Sequence, residues 1–317
     1  MEKKWVLLVC VLIVIGGFLL IGNASVYGQD SVVAPGAKVS LVKSGFGFTE
    51  GPAVDADGNV FFTDIPKQTI YKWDYKDNSL SVYREKTGMA NGLMFDENGN
   101  LIACEMGNRR ITLDDMKGHI TVLAQEYKGK KFNQPNDLWI DPKGGIYFSD
   151  PFYGRDTSGL EQGTMQVYYI SPDRKKVSRV TRDLVQPNGL IGTPDGKKIY
   201  IGDHGAKKTW VYTIMYDGTL KDKSLFCGNG SDGMTMDEKG NVYLTVDDYI
   251  LVYIPSGMMI KSIKLPDKPT NMVFAGKDRK TLFITARPSV YTLEMAVKGT
   301  PAAIRLAPAS PGSFRVN

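Results

Sequence analysis

Apolar and polar positions along this chain recur in one unit: a short apolar strand, a turn of the form Asp-x-x-Gly, then a second apolar strand closing on a polar residue. Residues 53–64 are the first copy, AVDADGNVFFTD, and residues 138–150 are the third, LWIDPKGGIYFSD. Further copies surround the turns that end at Gly99, Gly196 and Gly240, and a degenerate sixth copy spans residues 273–285. Successive turn glycines at 58, 99, 144, 196 and 240 lie 41, 45, 52 and 44 residues apart. A period of roughly 40–50 residues with several short strands per unit is the mark of propeller blades. In the turn, Asp accepts bonds from turn amides and Gly supplies positive φ, a structural task only. The pattern predicts an all-β, six-bladed β-propeller over residues 38–297. An outer strand at residues 38–42 precedes the first copy, completes the last blade and closes the ring.

Five positions before the first turn residue of each copy stand Glu50, Asn91, Asn136, Asn188, Asp232 and Asn271. Every one is a carboxylate or a carboxamide. The first strand of each blade is innermost, so residues at one phase of these strands converge on the axis at one height. Six oxygen-bearing side chains meeting there suit a hard cation, and calcium tolerates irregular oxygen coordination better than magnesium. No His or Cys shares this phase, which argues against zinc or copper. The competing view is that short polar residues here only cap strand ends.

Composition narrows the function classes. A formal charge of +5 in 317 residues, with no Lys/Arg block, gives no footing for nucleic acid. The chain opens Met1-Glu2-Lys3-Lys4, runs apolar or Gly from residue 5 to 21, and carries Val26-Tyr27-Gly28 as a small-residue cleavage pattern. Residues 1–28 therefore read as a signal peptide or membrane anchor, with 29–37 a linker and 298–317 a poorly ordered Pro/Ala/Ser-rich tail. Both readings put the globular part outside the cytoplasm, periplasmic or secreted, touching membrane only through that segment if it is retained. Beyond it stand Cys104 and Cys227, expected as buried thiols and not as a disulfide framework.

Phe48-Thr49-Glu50-Gly51-Pro52, Gln134-Pro135-Asn136-Asp137-Leu138, Pro187-Asn188-Gly189-Leu190 and Ser231-Asp232-Gly233-Met234 resemble the signatures of the gluconolactonase/regucalcin (senescence marker protein) family. The run from Phe148 through Ser149-Asp150-Pro151-Phe152-Tyr153 to Gly154 resembles its bacterial lactonase branch. The resemblance spans about residues 38–295 and implies a six-bladed propeller with one catalytic divalent ion. Calcium is the expected ion, with Mg2+, Mn2+ or Zn2+ as alternatives. By position it implies Glu50, Asn136, Asn188 and Asp232 as ligands, leaving Asn91 and Asn271 to hold waters or substrate. Animal sugar-lactone enzymes of the family carry Arg two residues before the third-copy Asn; this chain departs with Gln134.

The expected function is metal-dependent hydrolysis of a small-molecule lactone or ester. A cation polarises the carbonyl and Asp232 serves as general base or nucleophile. Phosphotriester hydrolysis of the diisopropyl fluorophosphatase type and a non-enzymatic binding propeller with a structural calcium are the alternatives. Loops after the second strands are expected over the same mouth. They offer Phe152 and Tyr153 as walls, Arg109 and Arg287 for an acidic group, and His204 as a second acid/base candidate.

Overall fold

The computed structural model describes residues 31–155 and 159–300, and apart from a 3-10 residue at Gly159 its regular elements are strands. The expected targeting segment and the tail beyond residue 300 lie outside the described residues. The chain starts with β1 (Ser40–Val54), β2 (Val60–Asp64), β3 (Thr69–Trp73) and β4 (Leu80–Glu85). A second sheet follows in β5 (Ala90–Phe95), β6 (Leu101–Glu105), β7 (Arg110–Asp114) and β8 (Ile120–Ala124). After a two-stranded ribbon, β9 (Glu126–Tyr127) and β10 (Lys130–Lys131), come β11 (Leu138–Ile140), β12 (Ile146–Asp150), β13 (Gln166–Ile170) and β14 (Val177–Arg179). The fourth sheet is β15 (Pro187–Gly192), β16 (Lys198–Asp203), β17 (Lys208–Ile214) and β18 (Leu220–Cys227). The fifth is β19 (Met234–Met236), β20 (Val242–Val246), β21 (Tyr249–Tyr253) and β22 (Met259–Lys264), before β23 (Asn271–Ala275) and β24 (Thr281–Glu294).

Four sheets are antiparallel four-stranded meanders, as a propeller requires. The remaining strands form one six-stranded sheet in the order β23-β24-β1-β2-β3-β4. The count of separate blade-sized sheets is thus five, where the repeat predicts six. The reason is the length of β1. Its first half pairs with β24 (Ser40↔Thr292, Ser44↔Ser289) and its second half with β2 (Glu50↔Thr63, Val54↔Val60). The first and sixth repeats therefore share one hydrogen-bonded ladder, and the segment expected to close the ring lies against the last strand.

Burial falls from inner to outer strands. All five residues of β2, β6 and β12 are buried, whereas β8 and β22 are largely exposed. Side chains on both faces of an inner strand pack between sheets. Ile102, Ile140, Phe148 and Tyr168 share one such cluster, and Tyr200, Met234, Leu244 and Tyr253 another. The turns are built as their composition implies. Asp55 Oδ1 accepts from the amides of Asp57 and Asn59, each at 2.9 Å, and Gly58 sits at φ +91°. Asp96, Asp141 and Asp237 repeat that grip.

Both flanks are tied in. Val32 is buried, Val33 bridges Met295, and Thr300 N donates to Met236 O at 3.0 Å. Cys104 and Cys227 are buried free thiols.

Candidate functional site

Three of the six ring residues are delivered by irregular strand entrances. The ladders slip between Glu50 and Ala53, between Ala90 and Leu93, and between Pro187 and Leu190, so Glu50, Asn91 and Asn188 sit at bulges. A bulge turns a side chain out of the regular alternation, which is how a strand can aim a polar group along the axis. Four ring residues are followed by glycine, and each glycine abuts the next repeat. A Cβ on Gly51 would lie 2.0 Å from Asn91 O, and one on Gly92 would lie 2.6 Å from Asn136 O. One on Gly189 would meet Asp232 O at 2.5 Å, and one on Gly233 the Asn271 side chain at 2.2 Å. The innermost strands thus stand backbone to backbone, and the ring is as narrow as it is because those positions lack side chains.

A second device sets the loops. Asp64 at the end of β2 accepts from Gly47 N and Phe48 N, at 2.9 and 3.1 Å. Asp150 at the end of β12 accepts from Asn133 N (2.8 Å) and Gln134 N (2.9 Å). Asp203 at the end of β16 accepts from Val185 N (3.0 Å) and Gln186 N (2.9 Å). In each case the gripped amides lie two or three residues ahead of a ring residue, so a buried carboxylate fixes the approach to Glu50, Asn136 and Asn188.

Five of the six ring residues, Glu50, Asn91, Asn136, Asn188 and Asp232, line one cavity of about 430 Å³. Phe48, Ile65, Pro66 and Met106 give it apolar walls, and Tyr153 and His204 complete it. Asn271 is not among them. It donates to Asp137 Oδ2 at 3.3 Å and, with Asp137, lines a separate channel cavity of about 100 Å³. Asp137 is a buried carboxylate one position off the repeat phase; its mark in the sequence is the Asn-Asp pair, where four of the other five repeats have glycine.

Tyr153 does more than form a wall. Its hydroxyl accepts from Asn136 Nδ2 and Asn188 Nδ2, both at 2.9 Å, and Asn188 Nδ2 also donates to Asp232 Oδ1 at 2.7 Å. Gln134 lies behind it: Gln134 Oε1 accepts from Tyr153 N at 2.6 Å, so it positions the loop and does not line the cavity. Phe152 also stays out, its ring packed close over Gly154 and Gly159. Arg109 is spent on its own neighbourhood, ion-paired to Glu161 at 2.8 Å and bonded to Phe132 O and Gly159 O. Arg287 stands over the Phe48 ring, 5.8 Å from its centroid, at the edge of the mouth.

The electrostatics of the ring are those of uncompensated oxygens. Burial, then the charge of Asp232, pushes the Glu50 carboxyl well above the usual range. Burial likewise raises Asp232, opposed by His204, the Asn188 bond, Lys268 and Arg287. Burial pushes Asp137 up to about 7. Asn188 Oδ1 is buried without a partner. Among the described residues no three His, Cys, Asp or Glu side chains converge, so the donors are two carboxylates and two carboxamides. An all-oxygen set with two carboxyls, Glu50 buried and Asp232 half-buried, and an unpartnered amide oxygen fits a hard divalent cation, which would hold both carboxyls ionised.

The family model described as SMP-30/Gluconolactonase/LRE-like region matches residues 48–287, which hold all six ring positions. The gluconolactonase of Zymomonas mobilis subsp. mobilis is 28% identical over 294 residues, covering 82% of this chain and 82% of that protein. A solved gluconolactonase from Xanthomonas campestris superposes with a TM-score of 0.77 at 27% identity, covering 83% of this chain and 91% of that one. Regucalcin from Agrobacterium tumefaciens, a calcium-binding protein, superposes with a TM-score of 0.72 at 19% identity. It covers 86% of this chain and 98% of that one, a likeness of fold alone.

Proposed function

The chain belongs to the SMP-30/Gluconolactonase/LRE-like family, and on that premise we propose that it is a divalent-metal-dependent lactonase. The observation that carries the reading is the convergence of Glu50, Asn136, Asn188 and Asp232 on one apolar-walled cavity, with Asn188 Oδ1 left unpartnered. These four residues would hold the cation, calcium by its tolerance of mixed oxygen donors. When bound, such an ion polarises a carbonyl and offsets the charge that develops on its oxygen.

The protein's own groups do the rest. Phe48, Ile65, Pro66 and Met106 bind the apolar face of the substrate and exclude water from it. Asp232, half-buried at the cavity edge and aligned by Asn188, takes the proton of the attacking water at Oδ2, the oxygen not bonded to Asn188. Tyr153, held by both asparagine amides, still has its own O–H to donate and can orient the substrate's ring oxygen. His204, exposed at the same wall, is placed to return a proton to the leaving alkoxide.

Hydrolysis of glucono-1,5-lactone by the full chain, followed by acid release, tests the reading. Activity is expected to vanish with EDTA, return with calcium, and fall about 10²–10⁴-fold in Asp232→Asn, the range a general base contributes. An Asp232→Asn variant of full activity would sink the mechanism. Turnover of phosphotriesters but not lactones would move the chemistry to the other ester class, and calcium-dependent melting without any turnover would leave a binding propeller.

Two architectural inferences accompany this. The six-stranded sheet is read as two blades fused: residues 281–285 of β24 pair with β23 while 287–292 pair with β1, with Arg287 at φ +51° between them. The basic-then-apolar start supports export, and therefore a periplasmic or secreted place of action.

A further inference from the structure

Beside the proposed metal cavity lies a second cavity of about 230 Å³, and the two meet at His204 and Asp232. Its wall includes Lys207 and Lys268, the backbone-rich segment Gly228-Asn229-Gly230, and Asp247. Among the described residues the Lys207 ammonium has no partner. Lys268, two-thirds buried, is ion-paired only with Asp247, at 3.8 Å and 86% exposed, and its charge also acts on Asp232 in the same wall. Two lysines therefore line one pocket, Lys207 exposed and Lys268 partly buried, with Asp232 and Asp247 as the carboxylates of the same wall. The remaining polar groups are largely spoken for: Asn229 Nδ2 donates to Tyr253 OH (2.7 Å), and Thr245 Oγ1 donates to Thr270 O (2.9 Å).

Resting on the lactonase reading, we propose that this second cavity is a subsite for an anionic substituent of the substrate, an oxyanion such as carboxylate, phosphate or sulfonate. A substrate whose carbonyl sits over the ring has its distal end directed past His204 into this pocket. With a divalent ion balancing Glu50 and Asp232, the two lysines outnumber the Asp247 carboxylate and leave the joined cavities net positive. Ammonium groups act as point charges toward oxyanions, without the fixed fork of arginine, so the subsite selects charge more than shape. The arginines expected for this task are not the ones facing the pocket.

The experiment measures kcat/KM of the full chain for glucono-1,5-lactone and for its 6-phospho and 6-sulfo analogues, with Lys207→Ala/Lys268→Ala beside wild type. Expected is a preference of tenfold or more for an anionic lactone, weakened by salt, with the anionic-to-neutral ratio falling about tenfold in the double variant. A rise in KM should carry the change. No preference, or one that survives in the double variant, overturns the subsite. If no lactone is turned over, the lactonase reading fails by itself, and calorimetric binding of 6-phosphogluconate decides the subsite. Binding lost in the double variant upholds it, and no binding or equal binding overturns it.

Discussion

Consider Gly51→Ala, one added methyl at the bulge beside Glu50. The new Cβ would lie 2.0 Å from Asn91 O, 2.6 Å from Asn91 C and 2.6 Å from Gly92 Cα, all backbone atoms. Those atoms cannot yield freely. Thr63 Oγ1 holds Asn91 O at 3.1 Å, and Gly92 N is bonded to Asn136 O at 2.7 Å. Relief needs a separation of roughly 1.5 Å between the first two inner strands, since non-bonded contacts to carbon settle near ~3.5 Å. The left-handed backbone, φ +42°, adds about 1 kcal/mol for any residue with a Cβ. Overpacking adds about 1–3 kcal/mol more. A sum of about 2–4 kcal/mol is within the stability of a typical domain, so the variant folds, with Tm lower by roughly 5–15 °C. Its Glu50 is displaced from Asn136, however, and metal sites accept errors of only about 0.2 Å. Loss of calcium-dependent stabilisation and about 10²-fold loss of lactonase activity are expected. The control is Gly99→Ala, at φ +78° with nothing within 4 Å of its Cβ, which meets only the backbone penalty. Melting curves with and without calcium, together with lactone turnover, make the comparison. If Gly51→Ala matches Gly99→Ala in both, the backbone-to-backbone account of the ring is wrong.

Three further outcomes follow from the same geometry. Thr270 is fully buried and its Oγ1 donates to Thr49 O at 2.7 Å, joining the sixth repeat to the first. Thr270→Val leaves that carbonyl unpaired, at about 1–3 kcal/mol, read from the urea midpoint. Burial pushes Asp150 up to about 8, while an unfolded Asp titrates near ~3.9. The folded chain then keeps a proton that the unfolded chain releases, so this stabilising contribution is full below about pH 4 and is lost as pH rises through about 8. Asp150→Asn does not titrate, so its melting temperature should fall less steeply across that window; parallel curves would contradict the assignment. Tyr153→Phe removes the acceptor shared by Asn136 and Asn188, and weaker calcium binding by titration calorimetry is the expected result.

Much of this was readable from spacing alone. A fixed offset of five from each turn picked out five residues that line one cavity, because equal offsets from equivalent turns bring inner-strand residues to one height whatever the strand length. Asn271 escapes that rule because Asp137, across the channel, draws its amide toward the inner cavity. Glycine after Glu50, Asn91, Asn188 and Asp232 was visible in the sequence, but its meaning depends on which repeat stands next door, which spacing does not state. Tyr153 lines the same cavity for a reason no local pattern carries: Gln134 holds its backbone from 19 residues upstream. Arg109 and Phe152 were plausible by loop position and fail through tertiary partners, Glu161 in one case and the glycines of their own loop in the other. The count of sheets differs from the count of repeats because hydrogen bonding follows the long β1, not the unit of sequence.

The ladder between β1 and β24 has a consequence for how the molecule is assembled. Ser40 finds its partner at Thr292, so the first strand made is completed by nearly the last. Until then each end of the growing stack presents an unpaired edge, one on β1 and one on β24, each a template for another chain. Contacts this distant in sequence form late and slowly. The hazard for this protein therefore lies in the interval between synthesis of the first repeat and arrival of the sixth. Substitutions at the β1–β24 seam should show themselves as lost yield and aggregation before they show themselves as lost activity.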